Sequence, residues 1–401
     1  MRSREISIIK KILQDEERRQ RDTICLIASE NYISKEVKNA LSSVIINKYA
    51  EGVPFNRHYP GCMEADRLEL FGERLAKRLF GVEGANLQPY SGSIANLIAF
   101  RALLKKGDRV LAMHPFDGGH STHATKSNIS GELYKTSFYR VGGDGLLDYE
   151  IIRKVAKKVR PNLIIAGSSL YPREIDYKAF YDIAKENDSY FLADIAHPAG
   201  FIAAGLHNSP AKYADIITST THKTLRGPRG GLIMFKESLR GAVFSALYPG
   251  VQGGPLLNLV AAKAVAFSEA LSKDFREYQK QVIKNTSVLC EMLKERGFSL
   301  YTGGSSNHLI VIDLRPIKMD ASKIEKELEK INITSNALPV PGRDGTTMDG
   351  LRIGTSAITT SGYTDTELRE IAEILYHLII RRDINEASRI QKRLIRRIKS
   401  H

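Results

Sequence analysis

Short apolar runs alternate with helical stretches through the middle of this 401-residue chain. The apolar runs predict strands at 109–113, 163–167, 190–193, 216–220 and 231–235. An amphipathic helix is predicted at 176–187, between two of these strands. Strands that alternate with helices form βαβ units, in which parallel strands are covered by helices. The sequence therefore predicts an α/β fold with a mostly parallel central sheet and helices on both faces.

A second, smaller folded region is predicted in the C-terminal part. A helix at 256–271 is followed by a polar helical segment at 273–296, which leads into this region. The region combines a strand at 308–314, helices near 322–330 and 366–381, and a loop at 339–350. At this length and 42% hydrophobic content, the chain can form two or three domains.

The sequence favours a cytoplasmic, reduced protein. Its hydrophobic segments are all shorter than the roughly 20 residues of a membrane span. The charged N-terminus has no signal-peptide core, and its apolar residues recur at helical spacing, which predicts an amphipathic arm. The cysteines Cys25, Cys62 and Cys290 have no metal-binding spacing and are too few for a disulfide framework. No metal site is predicted.

The net charge of +14 is high and partly concentrated at the C-terminus. Residues 381–401 contain eight Lys or Arg residues and two acidic residues. Such a segment favours anionic partners such as polyphosphates, nucleic acids or acidic surfaces. The other interpretation is a solvated helix, since an apolar stripe follows helical spacing at Ile384, Ala387, Ile390, Leu394 and Ile398.

Lys223 lies at a position that favours a reactive side-chain amine. It follows a predicted buried strand and sits in the run Thr220-Thr221-His222-Lys223-Thr224. A turn that cannot be helical comes next, Gly227-Pro228-Arg229-Gly230-Gly231. A lysine on a stiff loop at a strand end can lose solvation and present a free amine, which Schiff-base chemistry on a carbonyl cofactor requires. The alternative is an ordinary basic turn.

Three other features fit the same cofactor. Asp194 ends a predicted apolar strand, where a carboxylate needs a partner such as a pyridinium nitrogen, unless it only caps the next turn. Ser91-Gly92-Ser93 precedes a helical run, and a helix N-terminus can bind phosphate. His120 follows two glycines, where its ring could stack on a planar group. Together these features indicate pyridoxal 5'-phosphate.

At residues 26–363 the chain resembles the serine hydroxymethyltransferase family of fold-type I pyridoxal-phosphate enzymes. Besides the Asp194 and Lys223 segments, the matching segments are Leu26-Ile27-Ala28-Ser29-Glu30-Asn31-Tyr32, Asn47-Lys48-Tyr49-Ala50-Glu51-Gly52, Ser91-Gly92-Ser93-Ile94-Ala95-Asn96, Tyr171-Pro172-Arg173-Glu174-Ile175-Asp176, Tyr248-Pro249-Gly250-Val251-Gln252-Gly253-Gly254-Pro255 and Leu351-Arg352-Ile353-Gly354-Thr355. The resemblance implies an N-terminal arm at 1–30, a large cofactor domain at 31–272 and a small C-terminal domain at 273–401.

The resemblance also implies roles for single residues. Lys223 would bind the cofactor covalently, Asp194 would pair with its ring nitrogen, and His120 would stack on the ring. Other cofactor contacts would be Ser91, Gly92, Ser93, Ser169, His197 and His222. A homodimer with shared sites is implied, in which the neighbouring chain contributes Tyr49, Glu51, Tyr59, Gly253 and Gly254. Glu51 would be the acid–base carboxylate, helped by Tyr59, and the substrate contacts would be Ser29, Glu51, Tyr59, Arg229, Asn336 and Ser361.

The chain departs from the family pattern near its C-terminus. The family motif reads Gly-Thr-x-Ala-x-Thr-x-Arg-Gly, and Ser361 stands at its arginine. The resemblance implies that this arginine holds the substrate carboxylate, and a serine hydroxyl cannot replace its two charge-assisted bonds, so serine and glycine are expected to bind poorly. Arg343 on the preceding loop could substitute. The folate pocket is altered as well, with Pro115-Phe116-Asp117 before His120, Ser121 after it, and His58-Tyr59 in place of two tyrosines.

We therefore expect a pyridoxal-phosphate transferase or lyase that acts at the Cα–Cβ bond of an amino acid or related amine. Serine–glycine hydroxymethyl transfer is the default, and the departures make tetrahydrofolate use doubtful. One alternative is a transaldolase, aldolase or decarboxylase whose substrate carries a phosphate or nucleotide. Another is a non-catalytic binding protein, against which the intact Lys223, Asp194 and Glu51 argue.

Overall fold

The computed structural model describes residues 2–342, 345 and 347–399. Its α-helices are α1 (Arg2–Asp22), α2 (Lys35–Leu41), α3 (Met63–Phe80), α4 (Gly92–Leu103), α5 (Ile129–Leu133), α6 (Tyr149–Val159), α7 (Tyr177–Glu186), α8 (Ala199–Ala203), α9 (Arg240–Leu247), α10 (Leu257–Ala270), α11 (Lys273–Glu295), α12 (Ala321–Lys330), α13 (Ser356–Thr360), α14 (Asp365–Leu375) and α15 (Ile384–Lys399). Its strands are β1 (Ile24–Cys25), β2 (Gly52–Val53), β3 (Asn56–Arg57), β4 (Gly84–Asn86), β5 (Arg109–Met113), β6 (Lys135–Tyr139), β7 (Leu163–Ala166), β8 (Tyr190–Asp194), β9 (Ile216–Thr220), β10 (Gly231–Phe235), β11 (Ser299–Leu300), β12 (Leu309–Asp313), β13 (Ile333–Thr334), β14 (Asn336–Leu338) and β15 (Gly350–Gly354).

The chain divides into two compact units. The large unit contains Asn31–Ile283 and Pro341–Gly345, and the small unit contains Met1–Glu30, Lys284–Val340 and Thr346–His401. The segment up to residue 30 groups with the C-terminal residues because β1 pairs in parallel with β13. The second division lies inside α11, between Ile283 and Lys284, whereas the sequence places the domain boundary at the start of this helix.

The large unit is built on a seven-stranded sheet of order β4-β10-β9-β8-β7-β5-β6. Strands β6, β5, β7, β8 and β9 are parallel, while β10 runs antiparallel to both β9 and β4. Apolar side chains of the helices pack against these strands on both sides. The predicted α/β class and mostly parallel sheet are confirmed.

The parallel strands bring the predicted cofactor residues to one edge of the sheet. The carboxyl ends of parallel strands meet at the same edge, which is where ligands bind in such folds. Asp194 is the last residue of β8, and Lys223 follows the end of β9. His120 lies on the loop after β5, and Ser169 lies after β7.

The small unit contains an antiparallel sheet of order β11-β12-β15-β14. Helix α15 packs beside α14 through Ala387, Ile390 and Leu394, all buried members of the predicted stripe. Many of the basic side chains of α15 are ion-paired, for example Arg393 with Glu370. This favours the interpretation of the C-terminus as a solvated helix. Within the described residues, no helix is both long and apolar enough to cross a membrane.

Candidate active site

Asp194 is held as a buried anion by surrounding hydrogen-bond donors. Its Oδ2 atom accepts a bond from Asn96 Nδ2 at 2.9 Å and lies 2.9 Å from His123 Nε2. Its Oδ1 atom accepts a bond from the Ala196 N–H at 3.0 Å. Burial alone would raise the pKa of Asp194, but the bond to His123, the electrostatic influence of His123 and His120 and the bond from Asn96 together outweigh burial and hold this pKa well below its usual range. An ionised carboxylate in this position can hold a positive charge on a heteroaromatic nitrogen.

His123 and Asn96 form a support for Asp194 that the sequence interpretation missed. Asn96 Oδ1 accepts a bond from the Thr218 hydroxyl at 2.6 Å, which fixes the amide so that its Nδ2 atom faces Asp194. The His123 ring is buried, and its Nδ1 atom has no hydrogen-bond partner within the described part of the chain. The only signal for His123 was a second histidine shortly after His120.

His120 lies beside this network as a neutral ring. Its Nδ1 atom is 2.7 Å from the Thr122 hydroxyl oxygen, and its ring centroid is 5.7 Å from that of His123. Burial lowers the pKa of His120 to about 4, so the imidazole is uncharged at neutral pH. The loop before it packs too closely for side chains, because a Cβ on Gly119 would lie 2.1 Å from the Met113 carbonyl oxygen. A neutral aromatic ring held in this way is suited to stacking.

Ser169 and His197 lie on neighbouring loops of the same sheet edge. The Ser169 N–H and hydroxyl both donate to the Gly118 carbonyl, at 2.8 and 3.2 Å. The buried His197 accepts a bond at its carbonyl oxygen from the Thr224 hydroxyl at 2.7 Å. The Ser169 bonds tie the loop after β7 to the loop that carries His120, and the Thr224 bond ties the Lys223 loop to the segment that follows Asp194.

Lys223 lies on a stiff loop between β9 and β10. The loop is closed by a 3.1 Å bond from the Thr221 N–H to the Gly230 carbonyl and a 2.6 Å bond from the Thr221 hydroxyl to the Pro228 carbonyl. Only 9% of the Lys223 surface is exposed. Burial, followed by the charge of Lys223, lowers the pKa of the adjacent His222 to about 3. The predicted strand-end position with reduced solvation is therefore present.

Helix α4 begins with the predicted phosphate-binding residues. Ser91 caps this helix, and its Oγ atom accepts a bond from the Ile94 N–H at 3.2 Å. A Cβ on Gly92 would lie 2.7 Å from Thr220 Cγ2, so only glycine allows the helix start to lie this close to the end of β9. Ser93 is exposed on the first turn. The N–H groups of a first turn have no partners within their helix and suit a phosphate.

A second group of predicted residues surrounds Glu51. Tyr49 donates its hydroxyl to Glu51 Oε1 at 3.0 Å, and Tyr248 donates to Oε2 at 3.4 Å. The rings of Tyr49 and Tyr59 meet edge to face at 5.0 Å between centroids. Against them lie the glycines of the neighbouring turn, Gly253 and Gly254. We call this group of six residues the Glu51 cluster.

The remaining predicted contacts are not part of these two groups. Arg229 is exposed on the Lys223 loop. Ser29, Asn336 and Ser361 belong to the small unit, where Ser361 is exposed and donates its hydroxyl to the Ala357 carbonyl at 3.1 Å. Arg343 lies outside the described residues. The roles of these residues stay predictions.

Arg352 is a half-buried guanidinium that the sequence interpretation did not single out. Leu351 and Ile353 on either side of it face the core of the small unit, so Arg352 lies on the opposite face of β15. Asn336 is its cross-strand neighbour on that face. Burial lowers the pKa of Arg352 from its ordinary value. The signal for it was an arginine inside an otherwise apolar strand.

The residues at the edge of the large sheet fit pyridoxal phosphate. A buried anionic carboxylate, a shielded lysine and a glycine-containing helix start match its ring nitrogen, aldehyde and phosphate. The fold and site thus define a fold-type I pyridoxal-phosphate-dependent enzyme. The sequence model of the family described as serine hydroxymethyltransferase matches residues 3–375.

Named relatives match over nearly the whole chain. The serine hydroxymethyltransferase of Borreliella afzelii (strain PKo) is 45% identical over 404 residues, covering 97% of each protein. Those of Borrelia garinii subsp. bavariensis and Borreliella burgdorferi (strain ZS7) show the same identity and coverage. This chain belongs to the serine hydroxymethyltransferase family. It is a pyridoxal-phosphate-dependent enzyme of the kind that acts at the Cα–Cβ bond of an amino acid or related amine, as predicted.

Proposed function

We propose that this enzyme transfers the hydroxymethyl group of serine to tetrahydrofolate and leaves glycine. The observation that carries the proposal is the 45% identity to serine hydroxymethyltransferases over 97% of the chain. The name of these relatives, serine hydroxymethyltransferase, describes the transfer of a hydroxymethyl group from serine. The complete set of Lys223, Asp194 and Glu51 supports the same activity.

The exposed position of Ser361 weakens the argument for a different substrate. A changed substrate would follow from Ser361 only where the family arginine missing at this position is the one that holds the substrate carboxylate. The Ser361 hydroxyl is bonded back to its own helix, whereas Arg352 is a half-buried guanidinium within another matching segment. A guanidinium binds a carboxylate through two charge-assisted bonds. We therefore propose Arg352 as the carboxylate-binding residue.

The bound cofactor supplies an electron sink for the bond cleavage at the substrate Cα. Asp194, kept ionised by His123 and Asn96, holds a proton on the ring nitrogen. Lys223 would hold the cofactor through its side-chain amine. His120 would stack on the ring and would contribute no charge, because burial lowers the pKa of its imidazole to about 4.

Glu51 is the proposed acid–base group for the substrate hydroxyl. Tyr49 and Tyr248 donate to separate oxygens of its carboxylate and so fix its orientation. Glu51 would take the proton of the serine hydroxyl as the Cα–Cβ bond breaks and would return it in the reverse direction.

The enzyme is proposed to be a homodimer with shared sites. The segment that carries the Glu51 cluster exposes large apolar side chains, which is typical of an interface in a water-soluble assembly. The most exposed members are 70–85% accessible in the single chain, namely Val44, Phe55 and Met63. A partner chain would cover them and bring the Glu51 cluster to a second cofactor site. A cytoplasmic location is proposed because the chain belongs to the serine hydroxymethyltransferase family.

A substrate screen tests the proposal. The purified enzyme is titrated with serine, glycine, phosphoserine and phosphoethanolamine, and the visible spectrum of the bound cofactor is recorded. Serine and glycine should change the spectrum at the lowest concentrations. A response confined to the phosphorylated amines would favour the alternative of an aldolase or decarboxylase with a phosphorylated substrate.

A further inference from the structure

Lys263 is a buried lysine without a counter-ion among the described residues, and burial lowers the pKa of its amine to about 7. It lies on α10 with 1% of its surface exposed, and it forms no ion pair among the described residues. Its Nζ atom donates to the carbonyl oxygens of Leu87 at 2.7 Å and Pro89 at 2.9 Å. An apolar side chain could fill the same space without the desolvation penalty of an ammonium. A lysine at this buried position therefore calls for an explanation beyond packing.

The carbonyls bound by Lys263 lie directly before the phosphate-binding residues. Pro89 is two residues before Ser91, the cap of α4. Its carbonyl oxygen also accepts a bond from the Gly231 N–H at 3.0 Å, at the end of the Lys223 loop. Lys263 is thus bonded to the segment that sets the direction of the α4 N-terminus.

The end of the Lys223 loop also packs on Lys263 itself. A Cβ on Gly230 would lie 2.4 Å from Lys263 Cε and 2.9 Å from its Nζ atom. A Cβ on Gly231 would lie 2.2 Å from the Ser91 carbonyl oxygen. Any side chain at these glycines would therefore separate the loop from the helix start and from the ammonium.

We propose that Lys263 is a positioning residue for the cofactor phosphate, which holds the start of α4 in place and adds a positive charge behind it. A bound phosphate dianion would supply the negative charge that Lys263 lacks among the described residues, and it would favour the protonated form of the amine. The inference rests on the proposed placement of the phosphate at Ser91-Gly92-Ser93. A buried charge acts over a longer distance than an exposed one, because the protein interior screens it less.

The test compares a ligand that has the phosphate with one that lacks it. Full-length protein freed of cofactor is titrated with pyridoxal phosphate and with pyridoxal, and the visible absorbance gives both affinities. Lys263→Met and Lys263→Gln remove the charge, while glutamine keeps a hydrogen-bond donor. Lys178→Met, at an exposed residue of α7 paired with Asp182, is the control for the change in net charge.

Both neutral Lys263 variants should bind pyridoxal phosphate about tenfold or more weakly and pyridoxal within about twofold of the unmodified protein. The ³¹P NMR signal of the bound phosphate should also shift, which a purely structural role would not cause. Lys178→Met should leave both affinities unchanged. Equal weakening of both ligands, or unchanged affinity for both, would overturn the proposal. So would the failure of both neutral variants to fold by circular dichroism, because Lys263 would then serve folding alone.

A parallel substitution separates this inference from the placement of the phosphate. Gly92→Ala adds a methyl group where α4 meets Thr220 and should weaken the binding of pyridoxal phosphate more than the binding of pyridoxal. If Gly92→Ala reduces the ratio of the affinity for pyridoxal phosphate to that for pyridoxal and the Lys263 variants do not, Lys263 has no role in phosphate binding. If Gly92→Ala also has no effect on the preference, the phosphate placement is wrong and the inference about Lys263 is rejected with it.

Discussion

The His123 Nε2 atom lies 2.9 Å from Oδ2 of Asp194, so the predicted partner of the cofactor nitrogen is itself held by a buried imidazole. Since an ionised carboxylate only accepts hydrogen bonds, His123 donates from Nε2. Burial raises the pKa of Asp194, but this bond, the electrostatic influence of His123 and His120 and the bond from Asn96 together keep it well below its usual range. Asp194 therefore stays negative at every pH at which the enzyme is expected to work.

Lys223→Ala should abolish the visible absorbance of the lysine-bound cofactor. The side chain is the shielded amine at the end of β9, and alanine cannot form the covalent bond. The measurement is an absorbance spectrum of each protein after incubation with pyridoxal phosphate. Lys178→Met, which removes an exposed lysine, should keep the absorbance. The same spectrum in Lys223→Ala as in the unmodified protein would show that another lysine binds the cofactor.

The stability of the cofactor-free protein should fall as the pH falls from 7 to 5. Burial lowers the pKa of His120 from 6.5 to about 4 and that of His222 from 6.5 to about 3, so the unfolded chain binds more protons in this window. Each ring should contribute a loss of about 1–2 kcal/mol at pH 5 after allowance for partial exposure. Urea unfolding at pH 7 and at pH 5 measures the free energy of unfolding at each pH. His120→Asn should reduce the difference between the two pH values, and an unchanged difference would refute the assignment.

Mixed dimers should recover activity if the active sites are shared. Lys223→Ala and Glu51→Gln chains are each expected to be inactive. In a random mixture half of the dimers carry one chain of each kind, and one of their two sites has both native residues, so about a quarter of all sites should be active. Glycine formation in the exchanged mixture is measured. No recovery, although mass spectrometry shows mixed dimers, would place Lys223 and Glu51 of one site on the same chain.

Arg352 and Ser361 should differ strongly in their effect on serine binding. Removing a guanidinium partner of a carboxylate costs ~2–5 kcal/mol, so Arg352→Gln should raise KM for serine by about thirtyfold or more. Ser361→Ala should change KM by less than about twofold, because its hydroxyl is exposed and bonded to its own helix. Steady-state kinetics and melting temperatures are measured for both. A large effect of Ser361→Ala with none of Arg352→Gln would reverse the proposed assignment.

Much of the large unit could be predicted because its signals are local. The strands β5, β9 and β10 begin and end where the apolar runs do, and helix α7 fills the predicted segment between its caps, Asp176 and Asn187. The antiparallel direction of β10 could not be read from its sequence, since a buried strand has the same apolar pattern in either direction. The pairing of β1 with β13 could not be predicted either, because each strand has only two residues and so carries no recognisable pattern.

The candidate site was predictable only where the chain carries distinctive runs. Lys223 and Asp194 follow strand patterns and could be found from them. His123 and Asn96 could not, because their importance lies in bonds to Asp194 across 71 and 98 residues of sequence. Ser361 was given weight as a departure from a motif, although its side chain points back to its own helix. Arg352 and Asn336 face the same side of a sheet, which only the strand register reveals.

Glycine formation from serine, with and without tetrahydrofolate, tests the proposed function most directly. The unmodified enzyme, loaded with pyridoxal phosphate, is incubated with serine labelled at its hydroxymethyl carbon, and the label is followed into the folate fraction. The proposed function predicts that the label appears in folate in step with glycine and that omission of tetrahydrofolate slows glycine formation by about tenfold or more. Glycine formation at the same slow rate under both conditions, with no label in folate, would contradict the proposed function. It would favour the alternative of an enzyme with a different substrate.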